Sequence, residues 1–336
     1  MEPNVRPEKL TYVTVVFEEE VALLWLQARS AAVHLSPESV AAIIVIDNTK
    51  KGLSSRQRAE LVAAYGPVSS LVSFIRPGDI CEVPKATGWR TQQILKLKVA
   101  ELVDTSHYVT LDAKNHFVRP VTPEFFVGED GRSRINVYGY ETHPLRPNLE
   151  RVLTYLGVDP DQYVKQFTAT VTPFVLERDT VCQMMADIER RSGQPFATEF
   201  VRQDLTEFFL YAGWVLSKGR TLDEAFECTE VACPAVWPKA ANLPGVRAAI
   251  AAADERDVPV FSVHRRALAI VPPESSQALA QFWVARDLFD SAAQASGFVR
   301  DFQSNYERAA KAQRRRDLPA KLRSIPHRVR RKIKKS

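Results

Sequence analysis

Two rhythms of apolar residues alternate along the first third of this 336-residue chain. LTYVTVVF (residues 10–17) is almost continuously apolar or β-branched, as a strand buried on both faces should be. EEEVALLWLQARSAAVH (18–34) then places Val21, Leu24, Trp25 and Ala28 at the spacing of one helix face. The alternation repeats through AAIIVIDN (41–48, strand), SSRQRAELVAAYG (54–66, helix), SLVSFIRP (70–77, strand), GWRTQQILKLKVAELV (88–103, helix) and HYVTLD (107–112, strand). Four strands separated by three helices predict right-handed βαβ units on a parallel sheet. Such a sheet binds ligands beyond the carboxyl ends of its strands. Those ends are Phe17-Glu18, Asp47-Asn48, Arg76-Pro77 and Asp112.

The regularity then stops. Residues 121–144 read as short strands and turns, PNLERVLTYLG (147–157) as a helix, and 169–193 as a strand turning into a helix. TEFVRQDLTEFFLYAGWVLSKG (198–219) predicts one amphipathic helix, whose Phe208, Phe209, Tyr211 and Trp214 suit a core better than a ligand platform. One more strand is expected in VPVFSVHRRAL (258–268), and from about Pro273 the chain reads as helical and increasingly basic. No internal repeat or low-complexity linker precedes the tail. The simplest partition is one α/β domain over 1–270 and a helical extension over 271–336, with a basic tail at 311–336.

Composition narrows the function classes. At 37.8 kDa, with 45% hydrophobic and 25% charged residues, the chain can bury a sizeable core. Nothing offers the run of about 18 uncharged apolar residues that a transmembrane helix needs. The opening MEPNVRPEKL lacks the apolar core of a signal peptide, so a cytoplasmic protein is expected. Cys81, Cys182, Cys228 and Cys233 are scattered, with no zinc-knuckle spacing, and read as buried free thiols. The formal charge of +5 conceals an asymmetry: twelve Lys and Arg against Asp317 put +11 on residues 311–336, which leaves −6 for residues 1–310. Interleaved with Leu318, Leu322, Ile325, Val329 and Ile333, that charge suits a surface helix on anionic lipid. Peripheral association with the inner face of the cytoplasmic membrane is therefore expected ahead of nucleic-acid binding, for which aromatic interleaving is missing. Pro319 and Pro326 leave a solvated tail as the plainer reading.

The candidate chemistry lies in HYVTLDAKNHFVRP (107–120). An aspartate at a parallel strand's carboxyl end either ligates Mg²⁺ or Mn²⁺ and substrate phosphates, or caps the next turn. The run from Gly88 to Val121 resembles GT-A glycosyltransferases. In that family a helix with a glutamine and lysine pattern precedes a strand ending in Asp-X-Asp, and here Gln92, Gln93, Lys96 and Leu97 precede LDAK, with FVRP following. YVTVVFEEEVALLWLQARS, VTPFVLER and LTEFFLYAGWVL resemble an uncharacterised bacterial branch of the same enzymes, so that the likeness spans roughly residues 10–270.

The resemblance implies a GT-A-like, Rossmann-type nucleotide-binding domain with a mostly parallel central sheet, followed by a basic helical extension. It places Phe17 and Glu18 beside the base or ribose and Asp47 and Asn48 at the nucleoside. Arg90, Gln92, Gln93 and Lys96 would line the donor pocket, with Asn115 in the donor-site loop. Glu207 would be an acceptor-facing acid, and His264 a metal or phosphate ligand. The departure is Lys114, which stands where the firmest metal-binding acid belongs, and an ammonium repels a divalent cation. Either Lys114 is spare, or it supplies the positive charge itself with Arg90, Lys96 or Arg119. Asp112 and His264 would hold a metal only if one binds. Glu207 follows Asp204 by three places and reads equally as a solvated acidic face, while His116 and His143 read as turn and loop residues.

The expected function is transfer of a sugar from a UDP- or GDP-type nucleotide-sugar to a cell-envelope glycan or lipid-linked acceptor, with Asp112, Lys114 and Glu207 as catalytic residues and Mn²⁺ or Mg²⁺ optional. The competing expectation is a catalytically silent nucleotide- or sugar-binding protein of the same fold.

Overall fold

The computed structural model describes residues 9–229 and 233–323, with side chains as far as Ala312. In chain order the elements begin β1 (Leu10–Val16), α1 (Val21–His34), β2 (Val40–Asp47), α2 (Ser55–Ala64), β3 (Val72–Ile75), α3 (Pro77–Ile80), α4 (Gly88–Lys98), β4 (His107–Asp112) and β5 (Asn115–Phe117). They continue with β6 (Ser133–Tyr138), α5 (Arg146–Leu156), β7 (Phe167–Thr168), β8 (Phe174–Glu177), α6 (Arg178–Ser192), α7 (Phe196–Arg202) and α8 (Glu207–Ser217). The last are α9 (Leu222–Ala225), β9 (Phe226–Thr229), β10 (Ala235–Val236), α10 (Leu243–Glu255), β11 (Val260–Val263), α11 (Arg265–Leu268), α12 (Pro273–Val284) and α13 (Ala292–Arg323).

β1 is buried at every position, and β4 at all but Asp112, so neither strand can face water and both sit inside the sheet. The main sheet runs β3-β2-β1-β4-β8, the first four strands parallel and β8 antiparallel on the edge. This is the α/β architecture with a mostly parallel sheet that the alternation predicts. Side chains alternate between its two faces. Leu10, Tyr12 and Val16 join one apolar cluster with Leu24 and Ala28 of α1, Trp283 of α12 and Phe302 of α13. Val13 and Val15 join the other, with Ile94 and Leu95 of α4 and the aromatic residues of α8. The sequence-predicted core at Phe208, Phe209, Tyr211 and Trp214 lies there, each residue buried. Two three-stranded sheets, β10-β11-β5 and β7-β6-β9, flank the main one.

One expectation fails instructively. The single helix read over 198–219 is two, α7 and α8, broken at residues 203–206. Asp204 has φ 53°, a left-handed conformation that Asp tolerates better than most residues. Its carboxylate is gripped by Arg90 and Arg151, and Arg90 also donates to the Leu205 carbonyl. These ion pairs override the helical period, and the break makes Glu207 the first residue of α8.

The segment after residue 270 is integral to the packing. Leu279, Phe282 and Trp283 of α12, and Ala295, Val299 and Phe302 of α13, belong to the cluster under β1. The α13 backbone is helical through Arg323, while most of the basic residues of the tail lie outside the described side chains. Among the described residues no helix is long and apolar enough to cross a membrane. All four cysteines are free, and each is half-buried rather than fully enclosed.

Candidate functional site

β4 delivers Asp112 to the edge of the core, and the two-residue turn to β5 brings Lys114 back over it. That turn is fixed from beneath. Buried Gln27 accepts from Thr14 Oγ1 (2.8 Å) and donates to the carbonyls of Asp112 and Asn115, both at 3.0 Å. Asn115 accepts from the Asp112 N–H (2.7 Å) and donates to Thr172 O (3.0 Å) and Ser262 Oγ (2.6 Å). Fully buried, Asn115 shapes the turn, and its hydrogen bonds point inward.

On that base sits a cage of charge. Asp112 Oδ1 accepts from Gln92 Nε2 and Lys96 Nζ, each at 2.7 Å, while Oδ2 takes the Lys114 ammonium. Gln92 and Lys96 are one helical turn apart on α4, so one helix face supplies both. Lys114 Nζ also lies 3.3 Å from Thr172 Oγ1 and 5.7 Å from the Trp237 ring, and Lys96 Nζ lies 5.4 Å from the Phe208 ring. Burial works against a charged Asp112, but Lys114 and Lys96 outweigh it and hold the carboxyl far below the usual range. One carboxylate between two ammonium groups leaves the cage with one positive charge in excess.

Glu207 flanks the cage. It is 7% exposed, and burial pushes its carboxyl up to about 7, with Lys96 and Arg90 pulling the other way and Asp112 adding to the rise. Its backbone N–H meets Gln93 Oε1 at 3.4 Å, while Gln93 Nε2 and Thr206 Oγ1 are buried without partners. Arg90 is held in the α7–α8 break, its guanidinium 5.2 Å from the exposed Trp89 ring.

On the opposite flank, Trp237 is 44% exposed and lies 5.2 Å from the His264 ring, 32° from parallel. His264 caps α11, its Nδ1 accepting from the Arg266 N–H at 3.2 Å. Burial, then Lys114, Arg265 and Arg266, push it down to about 4, so its ring is neutral near pH 7. Glu20 pairs with Arg265 and feels both Asp112 and Lys114. Glu20 closes a single turn whose first two residues, Glu18 and Glu19, line a cavity of about 930 Å³. Phe17, Trp25 and Thr49 form one side of that cavity, and Phe302 and Tyr306 of α13 the other. Glu20 thus follows two cavity-lining residues in sequence and feels the cage's charges, while Gln92, Lys96, Asp112 and Lys114 do not line the cavity.

The remaining candidates fall elsewhere. Asp47 is fully buried and organises its own loop. It accepts from Thr49 N (3.2 Å), Thr49 Oγ1 (2.6 Å) and Leu53 N (2.6 Å), and Arg76 lies 3.0 Å away. Asn48 ties the end of β2 to Val16 O at 3.0 Å. Arg119, a candidate cation, does not join the cage: β5 carries it past the site, to Asp254 (2.8 Å) and Asp257 (3.2 Å). His116 is a core residue whose Nε2 accepts from Trp283 Nε1 at 2.9 Å, and burial pushes it down to about 3. Glu20, Gln27, Thr172, Thr206, Trp237 and Arg265 complete the site; the first four lie in the stretches YVTVVFEEEVALLWLQARS, VTPFVLER and LTEFFLYAGWVL, but nothing in their local pattern singles them out.

The donor set does not fit a divalent metal. Each Asp112 oxygen already carries an ammonium, and the His264 Nδ1 lone pair is taken by a backbone N–H. Among the described residues no three His, Cys, Asp or Glu side chains gather as a metal site.

Comparison with known proteins adds the following. The galactosyltransferase LgtC in complex with donor and acceptor sugar analogs superposes with a TM-score of 0.38 at 16% identity, over 59% of this chain and 72% of its own. An active-site mutant of LgtC gives 0.38 and 16%, over 59% and 71%. The bifunctional glycosyltransferase WbbM, in its apo form, gives 0.43 and 12%, over 85% of this chain and 52% of its own. No curated protein matches the sequence. A family model does match, over residues 17–242, about two thirds of the chain; the protein belongs to DUF6492, a family of unknown function.

Proposed function

We propose that the chain is a glycosyltransferase that moves a sugar from a UDP- or GDP-type donor to a hydroxyl of a cell-envelope glycan or lipid-linked acceptor, without needing a metal. The observation that carries this reading is the Asp112–Lys96–Lys114 cage with its surplus positive charge, at the carboxyl end of a parallel strand. A cavity of about 930 Å³ lined by Phe17, Glu18 and Glu19, which precede Glu20 in sequence, is large enough for a nucleoside. A nucleoside there, reached past Phe17 and Glu18, would direct its diphosphate toward Lys114.

In the reaction the acceptor oxygen attacks the anomeric carbon, and the carbon–oxygen bond to the diphosphate breaks. The electron pair leaves with the diphosphate, whose growing charge Lys114 and Lys96 offset. The acceptor proton passes to Glu207, which burial has brought to about 7, where a base serves best at neutral pH. A base so placed suits inversion at the anomeric carbon. The +11 of residues 311–336 supports an anionic membrane surface, at the inner face of the cytoplasmic membrane, as the place where a lipid-linked acceptor is met.

The test is a thermal-shift panel of nucleoside diphosphates and their sugars, with EDTA or Mn²⁺. A UDP- or GDP-compound should raise the melting temperature equally in both, and the panel should identify a donor whose diphosphate is released on turnover. If no nucleotide moves the melt, the reading is lost. A silent binding protein is the second reading, favoured by the fact that both lysines already bond Asp112. It predicts a melt shift without release of diphosphate.

A further inference from the structure

The start of α8 contains two polar groups that the fold leaves without a use. Thr206 occupies the N-cap, where a threonine normally accepts from the second or third N–H of its helix, yet its side chain makes no such bond. Its Oγ1 has no partner at all, in a residue 1% exposed. Gln93, also 1% exposed, turns Oε1 to the Glu207 N–H and leaves Nε2 unpaired. Buried polar groups are nearly always satisfied, so two orphans on neighbouring elements need an explanation. Thr206 precedes, and Gln93 bonds, the first residue of an eleven-residue helix, whose positive end favours an oxygen. That first residue is Glu207.

We propose that the start of α8 is a hydroxyl pocket, in which Gln93 Nε2 and Thr206 Oγ1 hold the acceptor sugar's attacking hydroxyl against the Glu207 carboxylate. The inference rests on the glycosyltransferase reading and assigns to this pocket the acceptor's pyranose hydroxyl, as opposed to the donor's nucleotide. The chemistry is complementary. A hydroxyl is at once donor and acceptor: it gives its proton to Glu207 and takes hydrogen bonds from the amide and from Thr206. An anion is a poor occupant, because Glu207 repels it once ionised. An apolar group would leave both orphans unsatisfied. Gln93 and Thr206 are positioning residues, acting through the orientation they give to the hydroxyl.

The test uses the full chain with UDP or GDP, whichever the panel selects, and millimolar methyl glycosides of glucose, galactose and mannose. The readout is the increment in melting temperature that a glycoside adds to the nucleotide alone. Wild type should show such an increment for at least one glycoside. Thr206→Val and Gln93→Met should each weaken glycoside binding about tenfold, the loss of one hydrogen bond, and Thr206→Ser should restore it. Without ligands Thr206→Val should melt at or above the wild-type temperature, since it removes only a buried unpaired group; Gln93→Met also removes the Oε1 acceptor of the Glu207 N–H and should melt slightly below it. The proposal is overturned if no glycoside adds to the nucleotide shift, if the variants keep the increment, or if Thr206→Val melts well below wild type, which would mean that its hydroxyl is bonded within the fold. A panel in which no nucleotide binds instead removes the reading beneath it.

Discussion

Replacing Lys114 by methionine separates an electrostatic site from a structural turn. The side chain keeps its length and its contact with Trp237, and only the ammonium goes. The cage then holds one carboxylate and one lysine, and its surplus charge disappears. A unit charge about 4 Å from a phosphate oxygen contributes about 4 kcal/mol at an effective dielectric constant of 20. Lys114 is 13% exposed and Asp112 23%, so water screens part of that attraction. Halving it leaves about 2 kcal/mol, or about 30-fold in Kd. Calorimetric titration of UDP and GDP at low and high salt reads this directly. Lys114→Met should bind about 30-fold more weakly at low salt and lose much of the salt dependence. Asp112→Asn should go the other way, since it frees a second positive charge for the diphosphate. Binding by Lys114→Met within about twofold of wild type would refute the idea that the lysine supplies the site's cation.

Three further outcomes are expected. Glu207 is raised from 4.5 to about 7 by burial, facing Lys96 and Arg90 of α4 and Asp112 of β4; between those pH values the unfolded chain ionises it while the fold does not, so stability falls as pH rises. Glu207→Gln should therefore match wild type near pH 4 and exceed it by about 3 kcal/mol near pH 8, read by urea denaturation at each pH, while abolishing transfer. Asp47→Ala strips the loop of the acceptor shared by Thr49 and Leu53 and leaves Arg76 uncompensated, which should cost about 3 kcal/mol in the same assay. Truncation after Ala312 should abolish sedimentation with anionic vesicles but retain the UDP-induced melt shift, because it keeps every cavity residue among the described ones; vesicle binding equal to that of the full chain would dismiss the tail's role.

Much of this was legible in local pattern. Continuous apolar runs located β1, β2 and β4, and their polar ends marked Glu18, Asp47 and Asp112. Helical spacing on α4 puts Gln92 and Lys96 on one face, which meets Asp112, while Gln93 turns to Glu207. The missing parts depend on contacts distant in sequence. The break before Glu207 is made by Arg90, 114 residues away from Asp204, and no period in 198–219 announces it. Trp237 and His264 reach the cage through a second sheet, β10-β11-β5, whose strands are two to four residues long. Arg119 is near Asp112 in sequence, but β5 leads it away to Asp254 and Asp257.

The distribution of charge then bears on what the cage selects. Residues 1–310 carry −6, so the body repels an extended polyanion at long range. The cage's single surplus charge is partly buried, and at physiological salt its influence on exposed charges fades within about 8 Å. An anion gains from it only by entering the site and bringing its negative charge to Lys114. On the proposed reading a nucleoside diphosphate does so with only two phosphates, its base and ribose being uncharged. A nucleic acid must leave most of its phosphates over the acidic surface. Heparin should accordingly compete poorly with UDP at the cage and bind the +11 tail instead, so that truncation after Ala312 abolishes heparin binding while UDP binding persists.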